Sequence, residues 1–170
     1  MTMGGREGRV FSEAEPEEVI DFLLSRKLES HPVPPEMLQI VNVGNELLVR
    51  IVNGKVREYP VRRSFLLKLF KWYHFPEGQL RHFSLDTVVS VLNDFLLAIR
   101  GEFVTVRVED GEAVSMTSDR YNEVADLDIV SLVRQFGMTK ISRDDFCTRI
   151  YTATPVNIAP VPGEDRKSVV

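Results

Sequence analysis

Residues 103–116 read FVTVRVEDGEAVSM, and this stretch has the pattern of a β-hairpin. Apolar residues alternate with Thr105 and Arg107 in its first half, which is the period-two pattern of a strand with one buried face. Asp110-Gly111 supplies two residues that tolerate the positive φ angles of a tight turn. Because Ala113–Met116 is again strand-like, we predict two antiparallel strands joined at Asp110-Gly111.

Two helices are predicted upstream of this hairpin. Between residues 62 and 74, large apolar side chains recur every three to four positions, with lysines on the opposite face. A Pro-Gly break at residues 75–78 ends this helix. Ser84 is a suitable N-cap for the next helix, which we expect to end at Gly101.

Towards the N-terminus, three short strands are predicted to form a β meander. They cover residues 38–43, 46–52 and 55–59 and are joined at Gly44-Asn45 and Asn53-Gly54, which are hairpin dipeptides. Before the meander, we predict a helix over about residues 16–27. The prolines of residues 31–35 then predict an extended connector.

The C-terminal part adds one more helix and one more strand. Asp126 can cap a helix over about residues 127–136 that ends at Gly137, and residues 147–152 have the composition of a strand. The fold class is therefore α+β, with a β meander, two central helices, a second β-hairpin and a small C-terminal helix and strand. We expect a flexible N-terminus over residues 1–15, a single domain over 16–152 and a Pro-rich tail or linker over 153–170.

Composition excludes several classes of site. The 170-residue chain has a formal net charge of −4, so no global field draws it to nucleic acid. A lone cysteine, Cys147, excludes an internal disulfide and a cysteine-rich zinc site, and we expect it to be buried and inert. The chain has no phosphate-binding loop, no dinucleotide-binding glycine motif and no nucleophile elbow. We therefore predict no catalytic residues, no metal and no cofactor.

The predicted location is the cytoplasm, or the host cytoplasm if the protein is encoded by a phage. Residues 1–10 are rich in Gly and Arg and lack the apolar centre of a signal peptide. No apolar run approaches the roughly 20 residues that span a bilayer, so no membrane partner is expected.

Charge is concentrated in one segment. Residues 55–82 contain seven Lys and Arg residues against two Glu residues, and aromatic residues are interleaved with them. Single-stranded nucleic acid is bound by this combination, because cations neutralise phosphates and aromatic faces stack on bases. The alternative is that the aromatic residues form the core face of a helix and the lysines its solvated face. The candidate nucleic-acid-binding residues are Arg62, Arg63, Lys68, Lys71, Trp72 and Arg81.

The segment Ser118-Asp119-Arg120-Tyr121 follows the hairpin and has two interpretations. Arg120 could clamp a phosphate or carboxylate beside Tyr121. Alternatively, Ser118 and Asp119 hydrogen-bond a local turn while Arg120 pairs with an acid. We favour the structural interpretation and expect Arg120 to be at least half buried and paired.

This segment also carries a family resemblance. Residues 104–108, Asp110-Gly111, residues 116–121 and Asp126-Leu127-Asp128 together resemble a phage- and plasmid-like family of unknown function, the domain of unknown function nine-three-two. The resemblance covers about residues 60–152, and its specific part is Ser118-Asp119-Arg120-Tyr121. It implies an accessory protein of mobile genetic elements and carries over no catalytic residues.

The predicted function is that of a non-enzymatic accessory protein of a phage or plasmid that binds nucleic acid. We expect single-stranded DNA in replication or recombination as the target and a homo-oligomer as the binding form. The alternative is a protein–protein interaction module that targets a host or virion component. A third option is an enzyme that uses Arg120 and Tyr121 around a small anion.

Overall fold

A computed structural model of the protein describes residues 4–118 and 126–153. The helices in these ranges are α1 (Pro16–Ser25), α2 (Arg63–Trp72), α3 (Leu85–Ala98) and α4 (Asp126–Val133). The strands are β1 (Phe11–Ala14), β2 (Leu28–Val33), β3 (Leu38–Val43), β4 (Glu46–Asn53), β5 (Lys55–Pro60), β6 (Val104–Glu109), β7 (Glu112–Ser118), β8 (Met138–Arg143) and β9 (Thr148–Thr152). Short 3-10 helices cover Pro35–Met37, Glu77–His82 and Arg134–Phe136.

The described residues fall into two compact units. Residues 4–8 and 27–118 belong to the first, and residues 9–26 and 126–153 belong to the second. Helices and antiparallel sheets occur together, so the α+β class is confirmed. The predicted domain limits stay a prediction, and residues 154–170 of the predicted tail lie outside the described residues.

Two three-stranded sheets form the first unit, in the orders β3-β4-β5 and β2-β6-β7. The β3–β4 turn has positive φ at Gly44 (59°) and Asn45 (65°), and the β6–β7 turn has positive φ at Asp110 (50°) and Gly111 (79°). Positive φ at both central residues is the conformation that matches the twist of a hairpin. The meander and the second hairpin are therefore confirmed.

Buried side chains of α2 and α3 complete the core of the first unit. Phe65, Leu66, Leu69 and Phe70 of α2 are buried against the sheets and against α3. Helix α3 starts at the predicted cap, where Ser84 Oγ accepts a hydrogen bond from the backbone N–H of Thr87 at 3.2 Å. Its buried residues are Val88, Leu92 and Leu96.

The chain before β1, which was expected to be flexible, makes main-chain hydrogen bonds within the first unit. The backbone N–H of Arg6 donates to the carbonyl of Val61 at 2.9 Å, and the Arg6 carbonyl accepts from the N–H of Arg63 at 2.8 Å. A Cβ on Gly5 would lie 2.8 Å from the backbone nitrogen of Arg63, so only glycine fits this close approach. These contacts are made by the main chain, which hydrophobic periodicity does not report.

The second unit contains the sheet β1-β8-β9 with α1 and α4. Its core residues are Phe11, Val19, Ile20, Leu23, Val130, Val133, Ile141 and Ile150. At the start of α4, Asp126 Oδ2 accepts from Arg143 Nε at 2.9 Å, and the Arg143 guanidinium lies 5.6 Å from the centre of the Phe22 ring. Gly137 ends the following 3-10 turn with φ of 74°, as its predicted role as a helix stop requires.

Three strands differ from the sequence prediction. Strand β1 lies within residues 1–15, for which no strand was predicted, and β8 covers residues between the predicted C-terminal helix and the predicted strand 147–152. Strand β2 takes the place of the predicted extended connector and contains Pro32. Among the described strands, β2 pairs only with β6, so Pro32 lies in an edge strand, where a proline is tolerated. Among the described residues, no helix combines the length and the hydrophobicity needed to cross a membrane.

Candidate nucleic-acid interface

Helix α2 presents an exposed basic and aromatic surface. Arg63, Lys68 and Lys71 are exposed, and Trp72 is 36% exposed at the last residue of the helix. Residues three and four positions apart are neighbours on a helix, so Lys68 lies beside both Lys71 and Trp72. We call Lys68, Lys71 and Trp72 the α2 surface. The sequence interpretation in which Phe65 and Phe70 are core residues is confirmed, since both are fully buried.

A stack of aromatic rings supports the α2 surface from below. Trp72 stacks on Tyr73 with ring centres 6.4 Å apart, and Tyr73 stacks on Phe95 of α3 at 4.5 Å. The Tyr73 hydroxyl donates to the Phe95 carbonyl at 2.7 Å. This carbonyl needs a donor, because the N–H of Ile99 bonds Leu96 instead of completing the last helical turn. Trp72 is therefore exposed at the outer end of this aromatic stack.

The partial burial of the Tyr73 hydroxyl leads us to expect that the stability of the protein depends on pH in the alkaline range. Burial raises the pKa of the Tyr73 hydroxyl above its ordinary value of 10.0. As pH rises above about 10, the unfolded chain loses this proton before the folded protein does, so the free energy of unfolding should fall. We expect Tyr73→Phe to flatten this fall in denaturant titrations between about pH 9 and 11. Equal slopes for the two proteins would contradict the prediction.

Arg81 is exposed in the 3-10 helix that follows α2. Its Nε lies 3.3 Å from Nε2 of His82, and the next residue, Phe83, is also exposed. Leu80, which is fully buried, anchors this short helix to the core. Basic and aromatic side chains therefore continue beyond α2 along the chain.

Arg62 does not lie on this surface. Its side chain is 7% exposed, and its guanidinium pairs with Glu109 at 3.4 Å and with Glu112 at 3.0 Å. Glu112 also binds Arg6 at 3.0 Å, and Arg6 in turn pairs with Glu46. The hydrogen bonds that Arg6 donates to Glu46, and second to Glu112, raise the pKa of Arg6 above its ordinary value. Arg62 belongs to this buried ion-pair network and is not part of the exposed basic surface.

The family signature is described only at its first residue. Ser118 is the last residue of β7, half-buried and paired with Val104. Asp119, Arg120 and Tyr121 lie outside the described residues, and so does the expectation that Arg120 is buried and paired.

Cys147 is exposed, so the expectation of a buried thiol is wrong. It lies in the turn between β8 and β9, where Asp144 Oδ1 accepts from the N–H groups of Phe146 at 2.8 Å and Cys147 at 2.9 Å. The turn is held by these hydrogen bonds to the Asp144 carboxylate, so its conformation does not depend on packing of the Cys147 side chain. Within residues 4–118 and 126–153, no three His, Cys, Asp or Glu residues form a group that could hold a metal ion.

The structure also brings together three polar side chains that the sequence did not connect. His31 of β2 lies between Arg57 and Tyr59 of β5, with Nδ1 3.2 Å from Arg57 Nη1 and Nε2 3.2 Å from the Tyr59 hydroxyl. A guanidinium can only donate, so Nδ1 is the acceptor and Nε2 carries the proton. Because β2 was not predicted as a strand, no sequence signal placed His31 beside β5.

Comparison with known proteins found no matching family model, no matching curated protein and no matching solved structure. The resemblance to the phage- and plasmid-like family of unknown function stays a prediction.

Proposed function

We propose that this protein is a non-enzymatic nucleic-acid-binding protein that contacts single strands through the α2 surface, with Arg63 and Arg81 as flanking cations. The observation that carries the proposal is an exposed tryptophan beside two exposed lysines, on a helix whose other aromatic residues form the core. Lysines at these positions neutralise phosphates, and Trp72 offers an open ring face to an unpaired base. A role as an accessory protein of a phage or plasmid, acting as an oligomer, is part of the same proposal.

Binding should depend strongly on salt. Each phosphate contact on a single strand contributes about −0.7 to the slope of log K against log salt, so four cations predict a slope near −3. We expect Lys68→Glu with Lys71→Glu to abolish binding of a labelled thymidine oligonucleotide of about 20 nucleotides near 50 mM salt, measured by anisotropy. A matched control is Lys140→Glu with Arg134→Glu, which reverses two charges in the second unit. Absent or salt-independent binding by the wild type would contradict the proposal.

Trp72 reports on stacking directly, because it is the only tryptophan in the chain. If a base stacks on its ring, intrinsic fluorescence should be quenched on addition of the oligonucleotide and recover at high salt. A duplex of the same sequence should quench less, since its bases are already stacked. Quenching that is equal for duplex and single strand would place Trp72 outside the contact with bases.

The alternative function, a protein–protein interaction module, is favoured by a different surface. The face of the β3-β4-β5 sheet that points away from the core exposes Val52 and Val56, which lie opposite each other. Aliphatic groups clustered on a solvent-facing sheet are typical of an interaction site. This alternative predicts that charge reversal on the α2 surface leaves binding of the partner protein unchanged.

A further inference from the structure

Strand β5 is an open edge of its sheet. It pairs with β4 over its whole length without a register shift, and among the described residues no strand pairs with its other side. Lys55, Val56, Arg57 and Glu58 are all exposed. An edge of this kind presents unpaired main-chain groups that can accept another strand.

The pairing identifies which main-chain groups point outwards. The N–H of Val61 donates to the carbonyl of Leu47 at 3.1 Å, so main-chain groups at every second residue back from Val61 point at β4. These residues include Arg57, and the groups of the intervening Val56 and Glu58 point at solvent. Pro60 has no N–H and ends the row of donors.

The side chains of β5 divide by face. Val56 is 63% exposed and lies opposite Val52, which is 46% exposed, on the outer face of the sheet. Lys55 and Arg57 are on the other face, and Lys55 makes no ion pair with a described residue. The remaining charge, Glu58, is paired with Arg50 at 3.1 Å. The edge therefore offers an aliphatic position on one face and two cations on the other, of which Arg57 also contacts His31 Nδ1 at 3.2 Å.

This charge pattern disfavours pairing with a second copy of the chain. Two copies of β5 can form an antiparallel pair only through the main-chain groups that point outwards, those of Val56 and Glu58. Each of these residues in one copy must therefore lie opposite Val56 or Glu58 of the other copy. If Val56 faces itself, Lys55 faces Arg57. If Val56 of one copy faces Glu58 of the other, the two Arg57 residues lie opposite each other. In the remaining register, the two Glu58 residues lie opposite each other. Like charges directly opposite are destabilising in every register.

We propose that β5 binds an extended acidic peptide as an added strand, with carboxylates facing Lys55 and Arg57 and an aliphatic side chain packing beside Val56. Main-chain hydrogen bonds to Val56 and Glu58 supply the general affinity, and the alternating side chains supply specificity. The inference gives the protein-interaction alternative a defined surface and does not depend on the nucleic-acid proposal.

The test uses the full chain and a fluorescein-labelled heptapeptide of alternating Glu and Val, measured by anisotropy at low salt. The comparison peptide has the same composition with its valines in one block. We expect the alternating peptide to bind and the block peptide to bind at least about tenfold more weakly, because only alternation matches the two faces of a strand. Equal binding of the two peptides, or no binding, would overturn the proposal.

Variants locate the contact. Val56→Pro removes an outward N–H without touching the β4 pairing, and Arg57→Glu reverses a charge on the peptide-facing side; each should weaken binding at least about tenfold. Arg100→Glu, an exposed charge reversal beyond α3, is the matched control and should bind like the wild type. Unchanged binding by both edge variants would refute the site, as would loss of binding in the Lys68→Glu and Lys71→Glu protein. Dimerisation of the wild type that Val56→Pro abolishes would replace the peptide with a second copy.

Discussion

Replacing Arg62 by alanine is expected to lower the free energy of unfolding by about 3–5 kcal/mol, the usual cost of breaking a buried ion pair. The side chains of Arg62 and Glu109 are only 7% and 5% exposed, so removal of the guanidinium leaves the Glu109 carboxylate buried without this partner. An ionised carboxylate that loses both water and its counter-charge is strongly disfavoured. Denaturant titration of the variant measures the loss.

Two further variants separate this effect from a general one. Arg63→Ala, at the next residue on an exposed position, should change stability by less than about 0.5 kcal/mol. Arg62→Met combined with Glu109→Leu removes both charges and should recover part of the loss, because apolar residues can replace a buried pair at little cost. If Arg62→Ala were as mild as Arg63→Ala, the buried network would not stabilise the fold.

The second large effect is expected for Phe70→Ala, which should cost about 3–5 kcal/mol. Phe70 is fully buried, and its ring contacts Phe75 at 5.5 Å and Phe95 at 5.9 Å between ring centres. Truncation would leave a cavity beneath the stack that supports Trp72. Thermal and denaturant unfolding both measure this loss.

Trp72→Ala is the matched control, because it removes an aromatic ring two positions along the same helix. Trp72 is partly exposed, so its loss should cost less than about 1 kcal/mol while removing the stacking contribution of about 1–3 kcal/mol to oligonucleotide binding. An equally large destabilisation by Trp72→Ala would make it a core residue and remove it from the proposed interface.

The sequence predicted the burial of some residues in and next to α2 correctly and of others incorrectly. The helical spacing of Phe65, Leu69 and Phe70 predicted which face of α2 is buried. The lysines lie on the opposite face, so the same spacing predicted that they are exposed. The sequence predicts Arg62 as a nucleic-acid-binding residue because it is one of the seven bases of residues 55–82, and no local pattern distinguishes it from the exposed Arg63. The Arg62 partners Glu109 and Glu112 lie about fifty residues away along the chain, at a distance that no local pattern reports.

By itself, the sequence determined the local elements: the helical periods, the Ser84 cap, and the Gly44-Asn45 and Asp110-Gly111 turns, because these depend on interactions between neighbours in the chain. Only the tertiary structure decided which bases are exposed, and that among the described strands β2, with Pro32, and β5 each have a side on which no strand pairs. These properties depend on which residues from distant parts of the chain supply hydrogen bonds and counter-charges. Arg62 is buried where Glu109 and Glu112 supply counter-charges, whereas Lys55 is exposed and makes no ion pair with a described residue, and the two side chains alone do not distinguish these environments.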